Sequence, residues 1–431
     1  MKLNVSGAYL AVPVWINPDC WDRYYLTVSC GGRIVYTFRL PEKNEGSKDS
    51  CDYYAYLPLE SEDIKGGELE IDTDAPYPVA EECFFTDTPS YGTEGAEGDI
   101  LHYHAPYGSL NDPNGLVYHN GLWHMYHQHN PMDNAWGNMS WGHAVSEDLI
   151  HFRFQGDVLF PDEGGTMFSG CGLINSQGAF SLPKDSLLFY YTLAAEDKGE
   201  EGGEPLRHFT QRLAFSADGG RTLKKLPDWE LPTMASENRD PKIFYHQKSG
   251  AYIMSLYLTD NRFMILRSEN LSDWEKTQEM SYPPMWECPD LLGLSEDKWA
   301  FMSADGYYYI GSFDGFSFVP ETPMRSLYAN GIPYAAQSFS GVPDRIISIA
   351  WLRTKNHGEN WHGMMSVPRE LTLGEDEEGF YIRQSFVREA APYIRTEDGR
   401  TVIEDRYIRE ELDAGGYQLK AEQLEGDHDG I

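Results

Sequence analysis

Strand-like runs that end in the same kind of turn are the feature that most limits how this chain can fold. Each run finishes with a serine, an acid or amide follows within two residues, and an apolar residue comes next. The four segments are "AVSEDLIHF", "AFSADGGRTL", "LRSENLSDWE" and "IGSFDGFSF", with the serines at Ser146, Ser216, Ser268 and Ser312. These serines lie 70, 52 and 44 residues apart. Each interval is close to the length of one four-stranded propeller blade, which favours a β-propeller. On periodicity alone, a sandwich of ordinary hairpins is the alternative fold.

The rest of the chain divides by pattern around this repeat. Residues 1–85 alternate strand-like runs with turn residues ("YYLTVSC", "RIVYTFRL", "DYYAYLPL", "GELEI"), which predicts a small N-terminal β-sandwich-like domain. Residues 86–99 are rich in Gly, Ser, Thr and acids, which predicts a linker. Residues 100–375 have room for five propeller blades, and 376–431 are expected to form an incomplete C-terminal β segment. The predicted fold class is therefore all-β.

The acidic composition argues against several classes of partner. The 68 Asp and Glu against 34 Lys and Arg give a formal net charge of -34, which would repel nucleic acid and anionic membrane surfaces. No apolar run is long enough to span a membrane. The acidic stretch 196–204 predicts a solvated loop rather than a calcium site, because its glycines fix no ligand geometry. We expect neither nucleic acid nor membrane as a partner, and the oligomeric state stays open.

The cysteines and the first residues bear on the cellular compartment. Six cysteines in 431 residues, with no C-x-x-C pair, predict free thiols in a reducing compartment. The stretch that begins at Met1 has one lysine and a short apolar run broken by Pro13, which is unlike a signal peptide. If Met1 is the natural start we expect a cytoplasmic protein, and an extracellular one only if the true N-terminus is missing.

Three acids stand in short turn-forming motifs: Asp112 in "NDPNG", Asp240 in "NRDPK" and Glu287 in "WECPDL". Proline favours extended backbone in the residue before it, so Asp112 and Asp240 are expected to be extended and held in one direction. In a radially repeated fold, residues at the blade edges converge on one end of the central channel. We therefore expect the three carboxylates to lie together.

A pair of carboxylates about 5 to 5.5 Å apart suits retaining glycoside cleavage, in which one attacks the anomeric carbon and the other protonates the leaving oxygen. The proton donor needs a raised pKa, which a poorly solvated acid with carboxylate neighbours acquires. Glu287, flanked by Trp286 and Cys288, is the best candidate for that environment.

The motifs of residues 100–375 resemble, in order, those of glycoside hydrolase family 32, the invertase, levanase and inulinase group of β-fructosidases. The matching stretches are "HAPYGSLNDPNGL", "WGNMSWGHAVSEDL", "FSGCGLI", "RDPKIFYH", "WECPDLLGL", "YYIGSFDGFSFVPE", "YAAQSF" and "GMMSVPRELTL". The resemblance implies a five-bladed β-propeller. It also implies that Asp112 is the nucleophile that forms a covalent fructosyl-enzyme, that Glu287 is the general acid and then base, and that Asp240 binds the fructose 3- and 4-hydroxyls.

The resemblance further implies a fructose pocket formed by Asn111, Gln128, Trp136, Phe168, Ser169 and Arg239. Amides and hydroxyls would bind the sugar hydroxyls, the aromatic rings would wall the pocket, and Arg239 would keep the carboxylate of Asp240 ionised. The expected activity is hydrolysis of β-D-fructofuranosyl residues from sucrose, fructo-oligosaccharides or fructans, with no cofactor. Fructosyl transfer at the same site, a non-catalytic fructan-binding protein and a propeller glycosidase acting on arabinose or xylose are the alternatives.

Some residues are expected to be structural, and some motifs depart from the family. Eight of the thirteen histidines lie between His102 and His151, but no local carboxylate or cysteine completes a ligand set, so no metal site is expected. Core packing is expected of Trp141, Trp351 and Trp361. The departures are Ser109-Leu110 in place of Trp-Met, Cys171 in place of Ser, and the lack of an Asp before the tyrosine of "YANGIPYAAQSF", where Asn330 and Ile332 stand. These departures leave substrate preference beyond the fructose ring open.

Overall fold

The protein is known from a computed structural model that describes residues 1–17, 24–43, 50–61, 64–91, 101–197, 206–355 and 360–424. Strands dominate these residues, and the helices within them are two 3-10 segments, Ala179–Ser181 and Arg388–Tyr393. Neither of these described helices has the length and apolar character needed to cross a membrane. The all-β class is confirmed. Most of the acidic stretch 196–204 lies outside the described residues.

The N-terminal residues build two small antiparallel sheets around one core. The first, in spatial order, contains Lys2–Asn4, Glu68–Thr73, Tyr24–Cys30 and Arg33–Leu40; the second contains Tyr53–Pro58, Tyr9–Val14 and Phe84–Thr86. Alternate residues of Glu68–Thr73 are buried, as expected where one face of a strand meets a core and the other meets water. Leu10, Val28 and Phe38 share that core. The domain limit at 85 and the linker at 86–99 stay predictions, and residues 92–99 are among those not described.

Five further sheets form the five blades of a β-propeller, which confirms the predicted architecture. Blade 1 contains Gly108–His119, Leu122–Asn130, Ser140–Ser146 and Arg153–Leu159. Blade 2 contains Thr166–Ile174, Leu187–Asp197, Leu206–Ser216 and Lys224–Leu231. Blade 3 contains Arg239–His246, Ala251–Tyr257, Arg262–Ser268 and Glu275–Ser281. Blade 4 contains Asp290–Gly293, Trp299–Met302, Tyr307–Phe313, Phe318–Pro320 and Arg325–Ser326. Blade 5 contains Pro333–Ser338, Ile346–Leu352, Met364–Met365, Arg369–Asp376 and Gly379–Phe386.

The sequence of each strand reflects its place in the blade. Ala251–Tyr257, the second strand of blade 3, is buried along its whole length and reads as a continuous apolar run because other blades cover both of its faces. Glu275–Ser281, the fourth strand, is mostly polar and exposed, which suits an outer edge that must not pair with another chain.

The serine repeat marks the end of the third strand in blades 1 to 3. The hydroxyls of Ser146 and Ser216 donate to Asp148 and Asp218 at 2.9 and 2.7 Å, and that of Ser268 donates to Asn270 at 3.1 Å. The backbone N–H of each acid or amide donates back to the serine oxygen. This reciprocal pair is a local turn that the three sequence segments encode alike.

Blades 1 and 5 close the ring through backbone contacts. Tyr118 and Ser340 belong to the two blades, and the Tyr118 N–H donates to the Ser340 carbonyl at 2.9 Å. A two-residue strand, Trp361–His362, leaves blade 5 and pairs in parallel with the start of Gly108–His119. The propeller is thus joined by chain segments more than 200 residues apart.

A C-terminal sheet packs beside the propeller and contains Arg395–Glu397, Arg400–Glu404, Ile408–Leu412 and Leu419–Gln423. Its Asp405 accepts hydrogen bonds from the backbone N–H groups of Leu101 and His102. The last strand of blade 5 ends at Phe386, beyond the limit of 375 expected for the propeller, and the division at 376 stays a prediction.

Candidate active site

One pocket lies where the inner strands of all five blades begin. The nine residues singled out in the sequence all line it: Asn111, Asp112, Gln128, Trp136, Phe168, Ser169, Arg239, Asp240 and Glu287. Met139, Tyr334 and Trp351 complete the lining. The acids come from three blades, because Asp112 and Asp240 lie in the inner strands of blades 1 and 3, and Glu287 just before that of blade 4.

The inner strands are irregular where they supply these residues. The register with the second strand shifts between Leu110 and Pro113 in blade 1, which leaves Asn111 and Asp112 out of the regular ladder. Blades 2, 3 and 5 show the same shift at Ser169, at Asp240 and just after Tyr334. Because a β-bulge redirects the side chain it carries, these shifts aim polar groups into the channel end while the rest of each strand stays paired.

The backbone at Asp240 and Glu287 adopts conformations that L-residues rarely take. Their φ angles are +62° and +52°, and Cys288 follows at +38°. Non-glycine residues persist in this region only when their surroundings impose it, and such residues cluster at functional sites. The expectation that the following proline keeps Asp240 extended is wrong, because the bulge overrides the local preference.

Asp112 is held by short polar contacts. The Ser169 hydroxyl donates to its Oδ2 at 2.7 Å, and the Asn111 amide lies 3.4 Å from its Oδ1. Burial and the nearby Glu287 raise the pKa of Asp112 to about 6, and the hydrogen bonds from Ser169 and Asn111 oppose that rise. At neutral pH the carboxylate is therefore mostly ionised, as a nucleophile must be.

Asp240 is almost fully buried, with 4% of its side chain exposed. Arg239 Nε lies 3.8 Å from its Oδ2 and favours the ionised form. Burial nevertheless prevails, with the help of Glu287 and Asp112, and raises the pKa of Asp240 to about 7. Arg239 thus acts on Asp240 in the expected direction, but it does not outweigh burial.

The side chain of Glu287 is more exposed than that of Asp240, at 24% against 4%. Its two oxygens have different partners: Arg239 Nη2 donates to Oε1 at 2.7 Å, and the Tyr334 hydroxyl donates to Oε2 at 2.7 Å. The expectation that Glu287 is the less solvated acid is wrong, because Asp240 is more deeply buried. Two donors, rather than an apolar enclosure, define its surroundings.

The thiol of Cys288 links two of the acids. Its Sγ lies 3.7 Å from Asp112 Oδ2 and 3.6 Å from Asp240 Oδ2, and its backbone N–H donates to Asp240 Oδ2 at 3.2 Å. Burial and the surrounding carboxylates raise the pKa of the thiol well above its usual value, so it stays protonated and can donate a hydrogen bond. The Oδ2 atoms of Asp112 and Asp240 therefore both contact the same sulfur atom.

The remaining lining can bind a polar, ring-shaped ligand. Asn111 Oδ1 and Gln128 Oε1 are buried acceptors without a hydrogen-bond partner among the described residues. Buried polar atoms normally have partners, and both of these atoms belong to residues that line the pocket. Trp136 and Phe168 meet edge to face, with ring centroids 6.2 Å apart, and form an apolar wall.

Sequence reasoning missed three lining residues. Tyr334 lies in the motif "YAAQSF" that matched the family, but no role was assigned to it. Trp351 was expected to pack in the core, yet it lines the pocket. Met139 follows the loop of Trp136 and carried no sequence signal. Trp141 and Trp361 are buried as expected.

The histidines between His102 and His151 serve mainly as packed or paired core residues. His129 Nδ1 lies 2.6 Å from Asp157, and His124 Nδ1 lies 3.1 Å from the ring of His143. His104 stacks on Trp361. Within the described ranges, His, Cys, Asp and Glu side chains form no group of three or more that could hold a metal ion.

Comparison with known proteins places this geometry in a family. Residues 102–384 match the model of the glycosyl hydrolases family 32 N-terminal domain. The chain belongs to glycoside hydrolase family 32. The levanase of Bacillus subtilis (strain 168) is 33% identical over 317 residues, which cover 65% of this chain and 45% of that protein. The extracellular exo-inulinase of Meyerozyma guilliermondii is 31% identical over 315 residues, which cover 64% of this chain and 59% of that protein.

Solved structures agree with this family 32 assignment. The fructofuranosidase of Schwanniomyces occidentalis complexed with fructose aligns with a TM-score of 0.60 and 27% identity, covering 72% of this chain and 67% of that one. A glycoside hydrolase family 32 structure from Bifidobacterium adolescentis aligns with a TM-score of 0.62 and 16% identity over 99% of this chain and 95% of that one. The second alignment shows that the fold recurs over nearly the whole chain. The chain spans only about half the length of the two relatives above.

Proposed function

We propose that this family 32 protein is a retaining glycoside hydrolase that releases β-D-fructofuranosyl residues from sucrose, fructo-oligosaccharides or fructans. The observation that carries the proposal is the meeting of Asp112, Asp240 and Glu287 in one pocket, which Asn111 and Gln128 also line. The names of the relatives, levanase, exo-inulinase and fructofuranosidase, support the substrate class.

In the first half of the reaction, the carboxylate of Asp112 attacks the anomeric carbon of the fructosyl unit while Glu287 protonates the departing glycosidic oxygen. The Ser169 hydroxyl and the Asn111 amide hold Asp112 in place for the attack. The bond between the anomeric carbon and the leaving oxygen breaks as the ester bond to Asp112 forms. The buried carboxylate of Asp240 binds ring hydroxyls and stabilises the positive charge that develops on the sugar.

In the second half, Glu287 is ionised and takes a proton from water, which attacks the same carbon and frees Asp112. Arg239 and Tyr334 donate hydrogen bonds to the two oxygens of Glu287 and hold its carboxyl group in place for this step. Contacts of Trp136 and Phe168 with the sugar ring would exclude bulk water from the pocket. Fructosyl transfer to a sugar acceptor would use the same acids. It would differ only in the second step, where a hydroxyl of the acceptor attacks the anomeric carbon in place of water.

The test is incubation of the folded protein with sucrose, inulin and levan, followed by assay of free fructose. We expect release from at least one substrate, and a loss of about a thousandfold or more in the Asp112→Asn and Glu287→Gln variants. Glu296→Gln, at an exposed acid outside the pocket, is the matched control and should keep full activity. No fructose from any substrate would refute the hydrolase, and longer oligosaccharides at high sucrose would identify a transferase instead.

We propose a cytoplasmic site of action as a separate prediction, because the cysteines of the described residues are free thiols, as is usual in a reducing compartment. Two matched relatives are named extracellular exo-inulinases, so the activity class itself does not decide the compartment. Fractionation of the native host, with fructose release assayed in cells and medium, tests it: activity confined to the medium would contradict the prediction.

A further inference from the structure

The loop at residues 131–139, which joins the second and third strands of blade 1, carries one wall of the pocket. We call it the Trp136 loop. Its side chains are buried except those of Ala135 and Trp136, and Trp136 is 51% exposed at the loop tip. The indole contacts Phe168 across 6.2 Å in an edge-to-face arrangement. Since the indole is half exposed, its position depends strongly on how the two flanks of the loop are held.

The first flank is anchored in the N-terminal sheets. Met132 is fully buried and belongs to the same core as Leu10 and Val28 of those sheets. The backbone N–H of Asn17 donates to Asp133 Oδ1 at 3.2 Å, next to the N–H of Asn134 at 2.8 Å. The loop therefore enters the N-terminal core, while the side chain of Asn130 also bonds it to blade 1.

The second flank is tied to an edge strand of the N-terminal sheets. Asn138 Oδ1 accepts from the Arg39 N–H at 2.6 Å, and Asn138 Nδ2 donates to the Arg39 carbonyl at 2.8 Å. This reciprocal pair imitates one rung of a β-ladder on the open side of Arg33–Leu40. Asn138 has a φ of +44°, a conformation that asparagine tolerates better than most residues.

The same edge strand meets the end of blade 1 nearby. The Thr37 N–H donates to the Pro161 carbonyl at 3.2 Å, and the ring of Tyr36 packs edge to face on Phe160 at 5.1 Å. Phe160 also belongs to the N-terminal core. The contact is therefore continuous from the outer strand of blade 1 to the Trp136 loop, so that the N-terminal sheets form a rigid backing for that loop.

We infer that the N-terminal sheets position the substrate pocket: through Asn138 and Met132 they fix the Trp136 loop, and Asn138 is a positioning residue for Trp136. The inference rests on the proposed function, because it takes the pocket to be the sugar site. The N-terminal sheets would thus affect sugar binding by positioning the Trp136 loop, without touching the sugar themselves. The steps that break and form bonds involve Asp112 and Glu287, which lie on other segments of the chain, so the effect falls on binding.

The test is a double-mutant cycle with steady-state kinetics on the best substrate. Asn138→Ala removes both hydrogen bonds to Arg39, together with the one from Nδ2 to Asn130 Oδ1 at 3.0 Å, and should raise KM by about threefold to tenfold, with kcat nearly unchanged. Trp136→Ala should raise KM at least as much. The double variant should show less than the product of the two effects, because Asn138 acts through Trp136.

Ser140→Ala is the matched control, since its hydroxyl donates to the Asn138 carbonyl at 2.9 Å within blade 1 and does not involve the N-terminal sheets. It should leave KM unchanged. Equal increases in Ser140→Ala and Asn138→Ala, or fully multiplicative effects in the cycle, would overturn the inference.

Hydrogen exchange separates this inference from the proposed function. Amides of residues 131–139 should exchange faster in Asn138→Ala than in the wild type or in Ser140→Ala, whether or not the protein releases fructose. An inactive wild type would refute the proposed function alone. Unchanged exchange in Asn138→Ala would refute the inference even if the wild type is active.

Discussion

At the scale of single residues, burial raises the pKa values of the two acids that are proposed to act as anions. Asp112 and Asp240 have pKa values raised to about 6 and about 7. A buried carboxyl group loses solvation when it ionises, and each further carboxylate nearby adds repulsion. The two ionised carboxylates can bind sugar hydroxyls and stabilise positive charge. Because their pKa values are raised, the pocket loses these anions, and with them activity, at acidic pH.

The raised pKa values of Asp112 and Asp240 predict how activity depends on pH. Both groups must be deprotonated, so kcat/KM should rise with pH between about 6 and about 7 and fall off below that range. Ser169→Ala removes a hydrogen bond that favours the ionised Asp112, so it should move the acidic limb to higher pH. The measurement is kcat/KM across pH for the wild type and the variant. A limb near pH 4 in both would contradict the raised pKa values.

Tyr334 gives a second prediction at this scale. Tyr334→Phe removes the hydroxyl that donates to Glu287 Oε2, and hydrogen bonds to charged groups are strong, so kcat should fall about tenfold to a hundredfold. Tyr257→Phe keeps the ring beneath the guanidinium of Arg239, 4.7 Å away, and should retain most activity. The measurement is kcat, checked against thermal unfolding. Equal losses in both variants would show that Tyr334 has no particular role.

Residue identities were predictable where a motif exposed them, but their environments were not. All nine singled-out residues line one pocket, whereas the backbone at Asp240 and the solvation of Glu287 differ from expectation. Both depend on neighbours far along the chain: Thr192 and Cys288 around Asp240, and Tyr334 beside Glu287. Local sequence does not contain these contacts. The catalytic roles of the acids stay predictions.

At the scale of elements, the sequence predicts what is local and misses what is long-range. The runs "YYLTVSC" and "RIVYTFRL" coincide with strands Tyr24–Cys30 and Arg33–Leu40. The serine turns were visible because each is stabilised by bonds between residues two to four apart. The bulges and the parallel strand Trp361–His362 carried no such signal, since their partners lie on other segments.

The serine turns carry the prediction at this scale. Ser216 donates to Asp218 and accepts from the Gly220 N–H at 2.8 Å, so Ser216→Ala should lower the free energy of unfolding by about 1 to 2 kcal/mol. Ser272→Ala, at an exposed side chain, should change it by less than about 0.5 kcal/mol. Urea unfolding monitored by tryptophan fluorescence measures both. No difference between the variants would contradict the role assigned to the repeat.

At the scale of the whole molecule, the N-terminal and C-terminal sheets are bound to the propeller by buried polar contacts. His102, at the start of the propeller, is fully buried between Asp405 at 2.7 Å and Glu410 at 3.6 Å of the C-terminal sheet. Burial opposes the charged form of His102, but the two carboxylates outweigh it and raise its pKa to about 10. These three side chains join the start of the propeller to the C-terminal sheet.

The pH dependence of stability follows from these contacts of His102. The folded pKa of His102 is above the unfolded value of about 6.5, so its contribution is complete below that value and is lost as pH rises through about 10. His102→Gln leaves the carboxylates buried without their cation and should cost about 3 to 5 kcal/mol near pH 6, and less near pH 10. His151→Gln, at an exposed pair with Asp148, should change little. Thermal unfolding at both pH values measures this, and a pH-independent difference for His102→Gln would contradict it.

The most direct test of the central claim, that distant acids meet in one pocket to cleave a fructosyl bond through Asp112, is detection of the covalent intermediate. The protein is mixed with substrate, quenched in acid, digested and analysed by mass spectrometry. A mass increase of one fructosyl unit is expected on the peptide that contains Asp112, and none in Asp112→Asn. Fructose release without any such adduct, or an adduct on another residue, would contradict the account.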